Sequence, residues 1–326
     1  MDLSDKCIRE GCLYKKNNDI NNNNGLYCCR RCMTSNRASS NKNIHGLKCN
    51  KKLIAERFIY CNASEGFNDI LRQLMCVTAY AIKYRYSIIL NSDLYVSCKY
   101  GDIFDFKNYP CKIFIDQEAK TLIKDLKEAG FKEHTDTSAS VFNLSNIYSP
   151  DLILVRRGYG GKSNRPINNS NKTFRFFSYI RLTDIFKRLV LEKLARLPKI
   201  YYGIHIRDTD HLAKCNKKTI REYLSSITNE AVVLATDNID TLNEFCNLYK
   251  NIVPTGTLDN ILSDTYYSLH YSFSNEPDNL QNAVLDLLII ANATHIKTTF
   301  DFGGQSGFSE LIRSLYRNKK LLEELL

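Results

Sequence analysis

The sequence predicts an α/β protein with two domains and a cleft between them, preceded by a small cysteine-rich module. From residue 57 onward, short apolar runs alternate with amphipathic segments of helical period, and this pattern restarts after Pro198. Alternation of this kind is typical of parallel sheets with crossover helices. Half of the twelve cysteines fall within the first 49 residues. We therefore divide the chain into residues 1–52, 53–197 and 198–326.

Length and composition agree with this division. A chain of 326 residues is long for one compact core, and 44% hydrophobic with 25% charged residues is ordinary for a globular protein. No apolar run approaches the roughly 18 residues of a membrane span. The opening stretch MDLSDKCIREGC has no apolar segment of a secretory signal. These features predict a cytoplasmic location, and a viral or microbial origin would fit them.

The positive charge is concentrated at the amino terminus. The net charge is +10, and residues 1–52 contribute +7 of it, with eleven Lys or Arg against four Asp or Glu. A basic module can attract nucleic acid or another acidic partner. A solvated basic surface without such a partner is an equally good interpretation.

The amino-terminal cysteines have the spacing of metal ligands. Short C-x4-C, CCRRC and H-x3-C groups are separated by loops, as tetrahedral zinc requires. A reducing compartment disfavours disulfides, and a segment this small needs a stabilising cross-link, such as a bound metal ion, to fold. We expect structural zinc rather than free thiols, while the number of ions and the choice of ligands stay open. The candidates are Cys7, Cys12, Cys28, Cys29, Cys32, His45 and Cys49.

The regular elements follow from periodicity. Predicted strands cover residues 57–63, 87–91, 151–155, 200–206, 231–236 and 295–299. Predicted helices cover residues 68–85, 118–130, 182–197, 217–227, 239–249, 279–293 and 306–316. Ligands of open α/β sheets bind beyond the carboxyl ends of the strands. Polar groups are concentrated at these ends in the stretches CNASEGFN, HIRDTD, LATDN and FGGQSGFSEL.

In this order, the four stretches resemble the fucosyltransferase superfamily, which includes core α1,6-fucosyltransferase, the nodulation fucosyltransferase and the protein O-fucosyltransferases. HIRDTD matches its H-x-R-x-x-D element, and VVLATDN is similar to its strand ending in A-T-D-D. NAVLDLLIIANATHI followed by SGFSELIRSL resembles its third element, and SEGFN resembles an E-G-F-N loop of a protein O-fucosyltransferase. The resemblance spans about residues 57–320 and excludes the cysteine-rich module.

The resemblance implies two Rossmann-like domains of the GT-B type and transfer of fucose from GDP-fucose to a hydroxyl of a protein or glycan, without a catalytic metal. It implies that Arg207 stabilises the diphosphate leaving group and that Glu65 is the general base. The remaining residues that it places at the donor are Gly66, Phe67, Asn68, His205, Asp210, Asp237, Asp286, Ser306, Gly307, Phe308 and Ser309. Among these, His205 would lie near the guanosine, Asp286 at the guanine edge, and Asp210 would orient Arg207 or its loop.

Two departures from the family pattern bear on these roles. Several family members have a second arginine where this chain has Asp208, and a carboxylate beside a diphosphate is unfavourable unless it points away or pairs with Arg207. The core α1,6 enzyme has a lysine and an acidic base where this chain has His211 and Cys215. The base is therefore better sought at Glu65.

A structural His–Arg–Asp network is the alternative interpretation of HIRDTD, and a protein with the transferase fold but no activity is the alternative function. In that case the basic zinc module would bind nucleic acid or an acidic partner. Retention of Glu65, Asn68, Arg207 and Asp286 favours the enzyme. The sequence names neither the acceptor nor the sugar of the donor.

Overall fold

The computed structural model describes residues 57–62, 67–91, 99–135, 152–157, 174–208, 215–227, 229–254 and 279–326. All seven predicted zinc ligands and the predicted boundary after residue 52 lie outside these residues. So do Glu65, Gly66 and Asp210.

The first half contains a five-stranded parallel sheet and a two-stranded antiparallel one. The larger sheet has the strand order β4-β2-β1-β6-β5, and β3 pairs with β7. The elements are β1 (Arg57–Asn62), α1 (Phe67–Tyr84), β2 (Tyr86–Leu90), α2 (Tyr100–Ile103), β3 (Phe104–Asp105), β4 (Ile113–Phe114), α3 (Asp116–Glu128), β5 (Lys132–Thr135), β6 (Leu152–Arg157), α4 (Phe176–Tyr179), β7 (Arg181–Leu182) and α5 (Asp184–Ala195).

The second half contains a four-stranded parallel sheet of order β10-β9-β8-β11. A short 3-10 helix, Thr299–Phe302, follows its last strand. The elements are β8 (Tyr201–Ile206), α6 (Lys217–Ser226), β9 (Ala231–Thr236), α7 (Ile239–Leu248), β10 (Ile252–Pro254), α8 (Asn279–Asn292), β11 (His295–Thr298), α9 (Gly307–Arg317) and α10 (Lys319–Leu325).

The larger sheet of the first half is covered on both faces. All five residues of β2 are buried, which is typical of a parallel strand between two helical layers. Because successive side chains of a strand point to opposite faces, Ile88 packs in one core cluster and Ile89 in the other. The apolar run SIILN therefore forms an interior strand without alternating polarity.

Helix α3 ends at Glu128, and Gly130, the stop that its sequence predicts, directly follows its C-cap Ala129. This glycine has a left-handed φ of 86°. The amide of Phe131 donates to the carbonyl of Leu126, and the amide of Gly130 donates to that of Lys127. These two hydrogen bonds form a Schellman motif, which glycine favours because it has no Cβ.

The faces of β8 are divided between two cores. Ile204 and Ile206 pack in a cluster with residues of α6 and α7. Tyr201, Gly203 and His205 share the opposite face, where a Cβ on Gly203 would lie 3.0 Å from the carbonyl oxygen of Ile290 in α8. Glycine at 203 lets α8 approach the strand closely. His205 consequently lies on the side of the sheet that α8 and α9 cover.

A single core cluster joins the two halves. It includes Leu71 and Leu74 of α1 together with Leu288 of α8 and Leu311 of α9. At the surface of this contact, Arg72 Nη2 lies 4.0 Å from Glu310 Oε2. The beginnings of α1 and α9, one from each half, are therefore held next to each other.

The prediction of an α/β fold with parallel sheets is confirmed, and each predicted strand and helix has a counterpart. The short edge strands β4, β5 and β10, the β3–β7 pair, the short helices α2 and α4, the 3-10 helix and helix α10 were not predicted. Assignment to two Rossmann-like domains, with a boundary after residue 197, stays a prediction. None of the helices in the described ranges is long and apolar enough to cross a membrane.

Candidate functional site

His205 lies at the carboxyl end of β8 and is buried. Its Nδ1 is 2.7 Å from Ser309 Oγ, in the first turn of α9, and 3.4 Å from Thr299 Oγ1. Burial, with the positive charge of Arg207 as a second cause, lowers the pKa of His205 to about 3. A neutral imidazole therefore connects the end of the strand to the beginning of the helix.

Arg207 is the first residue after β8, and its backbone and side chain are both held. Its amide donates to Thr299 Oγ1 at 3.0 Å, and Thr299 Oγ1 also lies 3.3 Å from the carbonyl oxygen of His205. The Nε atom of Arg207 is 3.9 Å from Asp237 Oδ2, and both side chains are only 15% exposed. The guanidinium is thus a mostly buried cation, paired with Asp237, at the carboxyl edge of the sheet.

Asp208 is held by partners other than Arg207. Its amide donates to Asp237 Oδ1 at 2.8 Å. Its carboxylate accepts a hydrogen bond from the hydroxyl of Thr241 and lies 3.3 Å from Lys217 Nζ. The negative charge that departs from the family pattern is therefore paired with a lysine of α6.

The beginning of α9 lies against His205. Ser306 is the N-cap, because its hydroxyl accepts from the amide of Ser309 at 3.3 Å. The ring of Phe308 contacts the imidazole of His205, with centroids 5.1 Å apart. Ser306, Phe308 and Ser309 thus lie together beside His205.

Asn68 comes from the other half and reaches the same place. A Cβ on Gly307 would lie 2.5 Å from Asn68 Nδ2, so glycine is needed for this approach. Asn68 is 6% exposed, and its Nδ2 has no hydrogen-bond acceptor among the residues that the structure describes. The neighbouring Phe67 instead stacks on Phe104 in the core, with ring centroids 6.4 Å apart.

Asp286 lies on α8, within a row of buried residues, and is itself half-buried. The helix runs antiparallel to β8, because it ends where β11 begins, and β11 is parallel to β8. Asp286 precedes Ile290, which lies opposite Gly203, by about 6 Å of helix. It therefore lies beyond that contact, toward the carboxyl end of β8.

The structure places Asn68, His205, Arg207, Asp237 and residues 306–309 in one region at the carboxyl edges of the strands. Glu65, Gly66, Asp210 and the seven predicted zinc ligands lie outside the described residues. Within the described ranges, no group of three or more His, Cys, Asp or Glu side chains is arranged to hold a metal ion.

Sequence reasoning missed the partners that hold the site. Thr299 follows the carboxyl end of β11, and that position was the only signal for it. Thr241 and Lys217 lie on helices and gave no motif.

Cys215 lies next to the site. Its Sγ is 3.6 Å from the carbonyl oxygen of Arg207, and burial raises the pKa of its thiol to about 11. Its thiol therefore stays protonated at neutral pH.

Solved structures of fucosyltransferases share this fold. The NodZ α-1,6-fucosyltransferase, from a crystal soaked with GDP-fucose, has 13% sequence identity and a TM-score of 0.52, over 80% of this chain and 92% of that one. Selenomethionine NodZ from Bradyrhizobium has 13% identity and a TM-score of 0.50, over 79% of this chain and 91% of that one. POFUT1 in complex with GDP-fucose has 13% identity and a TM-score of 0.50, over 80% and 94%.

No protein-family model and no curated protein matches the chain. At 13% identity, the structural similarity concerns the fold. The resemblance to the fucosyltransferase superfamily that the four motifs predict is confirmed at this level. The chain has the fold of the fucosyltransferases NodZ and POFUT1.

Proposed function

We propose that the protein is a glycosyltransferase that transfers fucose from GDP-fucose to a hydroxyl of a protein or glycan acceptor. The observation that carries this proposal is the position of Arg207, a mostly buried cation paired with Asp237 at the strand edge, beside the neutral His205 and the first turn of α9. The fold supports it, because the similar NodZ and POFUT1 structures were determined with GDP-fucose.

The reaction needs a cation at the leaving group. The acceptor oxygen forms a bond to C1 of the sugar, the bond from C1 to the β-phosphate oxygen breaks, and GDP leaves with the electron pair. Negative charge therefore grows on the diphosphate in the transition state. A guanidinium fixed beforehand stabilises that charge more than it stabilises the ground state. We assign this role to Arg207, whose forked donors fit phosphate oxygens and keep their charge.

Asp237 would orient Arg207. Its Oδ2 lies 3.9 Å from Arg207 Nε, and its Oδ1 accepts from the next amide in the chain. Because one carboxylate holds both the side chain and the following backbone, it limits the positions open to the guanidinium. Asp210 keeps the proposed role of orienting the same loop.

The first turn of α9 would bind the diphosphate. Amides at a helix N-terminus are unpaired within the helix and favour an anion. His205, buried and neutral, would lie beside the nucleotide without adding charge. Ser306, Gly307, Phe308 and Ser309 would line this part of the pocket, and Asp286 would accept from the guanine edge.

Groups from the first half would complete the donor and acceptor sides. The buried Nδ2 of Asn68 needs an acceptor, and a phosphate oxygen would supply one. Gly66 and Phe67 belong to the same loop and helix start. Glu65 would take the proton of the acceptor hydroxyl as general base.

A ligand screen by thermal stabilisation tests this function. GDP should raise the melting temperature, and UDP and ADP should have little effect at the same concentration. At about a hundred times its Kd, a ligand stabilises by about 2.7 kcal/mol. GDP-fucose should also be hydrolysed slowly without an acceptor. Stabilisation by duplex DNA, with none by GDP and no hydrolysis of any GDP-sugar, would contradict the proposal and favour the inactive binding protein.

A further inference from the structure

A network of charges extends from the candidate site to the surface of the second half. Lys217 Nζ lies 3.3 Å from Asp208 Oδ2 and 3.4 Å from Glu244 Oε2. On the far side, Arg221 donates to Glu244 Oε1. Asp237 accepts from the amide of Asp208 and pairs with Arg207, so the network contains three carboxylates and three cations and is neutral.

Asp208 is the member of this network that most needs a partner. Its side chain is 10% exposed, and it directly follows Arg207 in the chain. A carboxylate this buried is costly unless a cation compensates it. Without compensation its negative charge would also oppose the binding of a phosphate at Arg207, because the two residues are adjacent in the chain and like charges repel.

Lys217 is placed to supply that compensation. It is the first residue of α6, whose N-cap Asn216 accepts from the amides of Lys218 and Thr219, so its backbone is fixed. Glu244 also holds the ammonium, at 3.4 Å from Lys217 Nζ. Partial burial opposes the charge, but Asp208 and Glu244 raise the pKa of Lys217 above its ordinary value. The ammonium is therefore charged at any working pH.

The Asp208 carboxylate is fixed from two helices. The hydroxyl of Thr241, in α7, donates to the same oxygen that faces Lys217. Thr241 is fully buried, and Glu244 lies three residues later on the same helix face. Helices α6 and α7 therefore hold Asp208 together, while Asp237 holds its amide.

We infer that Lys217 is a positioning residue for the anion site at Arg207. By neutralising Asp208 and holding it against Thr241, it lets the guanidinium of Arg207 meet a diphosphate rather than a second carboxylate. This inference rests on the proposed function, and it adds a residue that no motif of the sequence indicates. Lys217 acts through Asp208 and Arg207 and need not touch the nucleotide.

A double-mutant cycle on the full chain tests it, with GDP and guanosine as probes. Lys217→Met keeps the length of the side chain and removes the charge. It should weaken GDP binding by about tenfold, within the range of couplings in one charge network, and should change guanosine binding little. Lys217→Arg should restore most of the GDP affinity. In an Asp208→Asn background, Lys217→Met should have no further effect, because there is no charge left to neutralise.

Lys218→Met is the matched control. Lys218 is the next residue, is 83% exposed and pairs with Glu222 within α6. Equal GDP affinities for wild type and Lys217→Met would overturn the inference and leave the proposed function standing. Equal losses for GDP and guanosine, or an effect of Lys217→Met that persists with Asp208→Asn, would also overturn it. A wild-type chain that binds no GDP would overturn both the inference and the proposed function.

Discussion

The side-chain amide of Asn68 lies directly against Gly307, so that the beginnings of α1 and α9 touch at a position where any Cβ would intrude. A Cβ on Gly307 would lie 2.5 Å from Asn68 Nδ2, closer than atoms in contact can approach. The two residues belong to different halves of the chain. Their contact joins the first turn of α1 to the helix that covers His205.

We expect Gly307→Ala to disturb this contact. The added methyl group must displace Asn68 or the first turn of α9, and overpacking of this kind typically costs about 1–3 kcal/mol. Urea unfolding should show a loss on this scale, and GDP should bind more weakly. Asn68→Ala combined with Gly307→Ala should recover the stability, because the clashing amide is gone. An unchanged stability in Gly307→Ala alone would contradict the close approach.

His205 should make the protein sensitive to acid. Its pKa is about 3 in the folded protein, because of burial first and Arg207 second, while an unfolded chain has a pKa of about 6.5. Between these values the unfolded chain binds a proton that the folded chain does not, so the free energy of unfolding falls as the pH is lowered below about 6.5. The loss approaches about 1.4 kcal/mol per pH unit for this group.

Urea unfolding of wild type and His205→Asn at several pH values between 7 and 5 checks this slope. The variant lacks the titrating group, so its stability relative to wild type should improve as the pH falls. Parallel curves for the two proteins would mean that His205 is already charged when folded, or that it is accessible to water.

The cysteine-rich segment should carry zinc. The spacing of Cys7, Cys12, Cys28, Cys29, Cys32, His45 and Cys49 predicts at least about one ion per chain. Elemental analysis of protein purified from zinc-supplemented medium measures it directly. A chelator should remove the metal and leave GDP binding intact, because the sheets have cores of their own. Protein without zinc under these conditions would remove the prediction.

The local features of the fold could be read from the sequence. Gly130 follows the C-cap of α3 with φ 86°, as a glycine after a helical pattern predicts. The buried strand β2 could likewise be predicted locally, because the run SIILN is short and almost entirely apolar. The edge strands β4 and β10 were missed because two or three residues leave no period to detect, and their pairing depends on distant strands.

The site was predictable only in part, because contacts between residues distant in the chain leave no local pattern in the sequence. His205, Arg207 and Ser309 belong to motifs, and the structure brings the motifs together. Thr299 and Thr241 act through contacts with residues far away in the chain, which no local pattern reports. Asp208 is instructive, because the sequence marks it as unfavourable and only the fold supplies its partner Lys217.

The rate of GDP-fucose hydrolysis by Arg207→Ala tests the central claim most directly. If Arg207 stabilises charge on the leaving diphosphate, the rate should fall by about a hundredfold or more, the scale for losing one preorganised electrostatic donor. Arg207→Lys should recover little, since an ammonium cannot make the bidentate contact. Hydrolysis at the wild-type rate would contradict the claim. The claim would also be contradicted if Arg207→Ala melted far below wild type while GDP still raised its melting temperature as much as that of wild type. Arg207 would then stabilise the fold rather than bind the diphosphate.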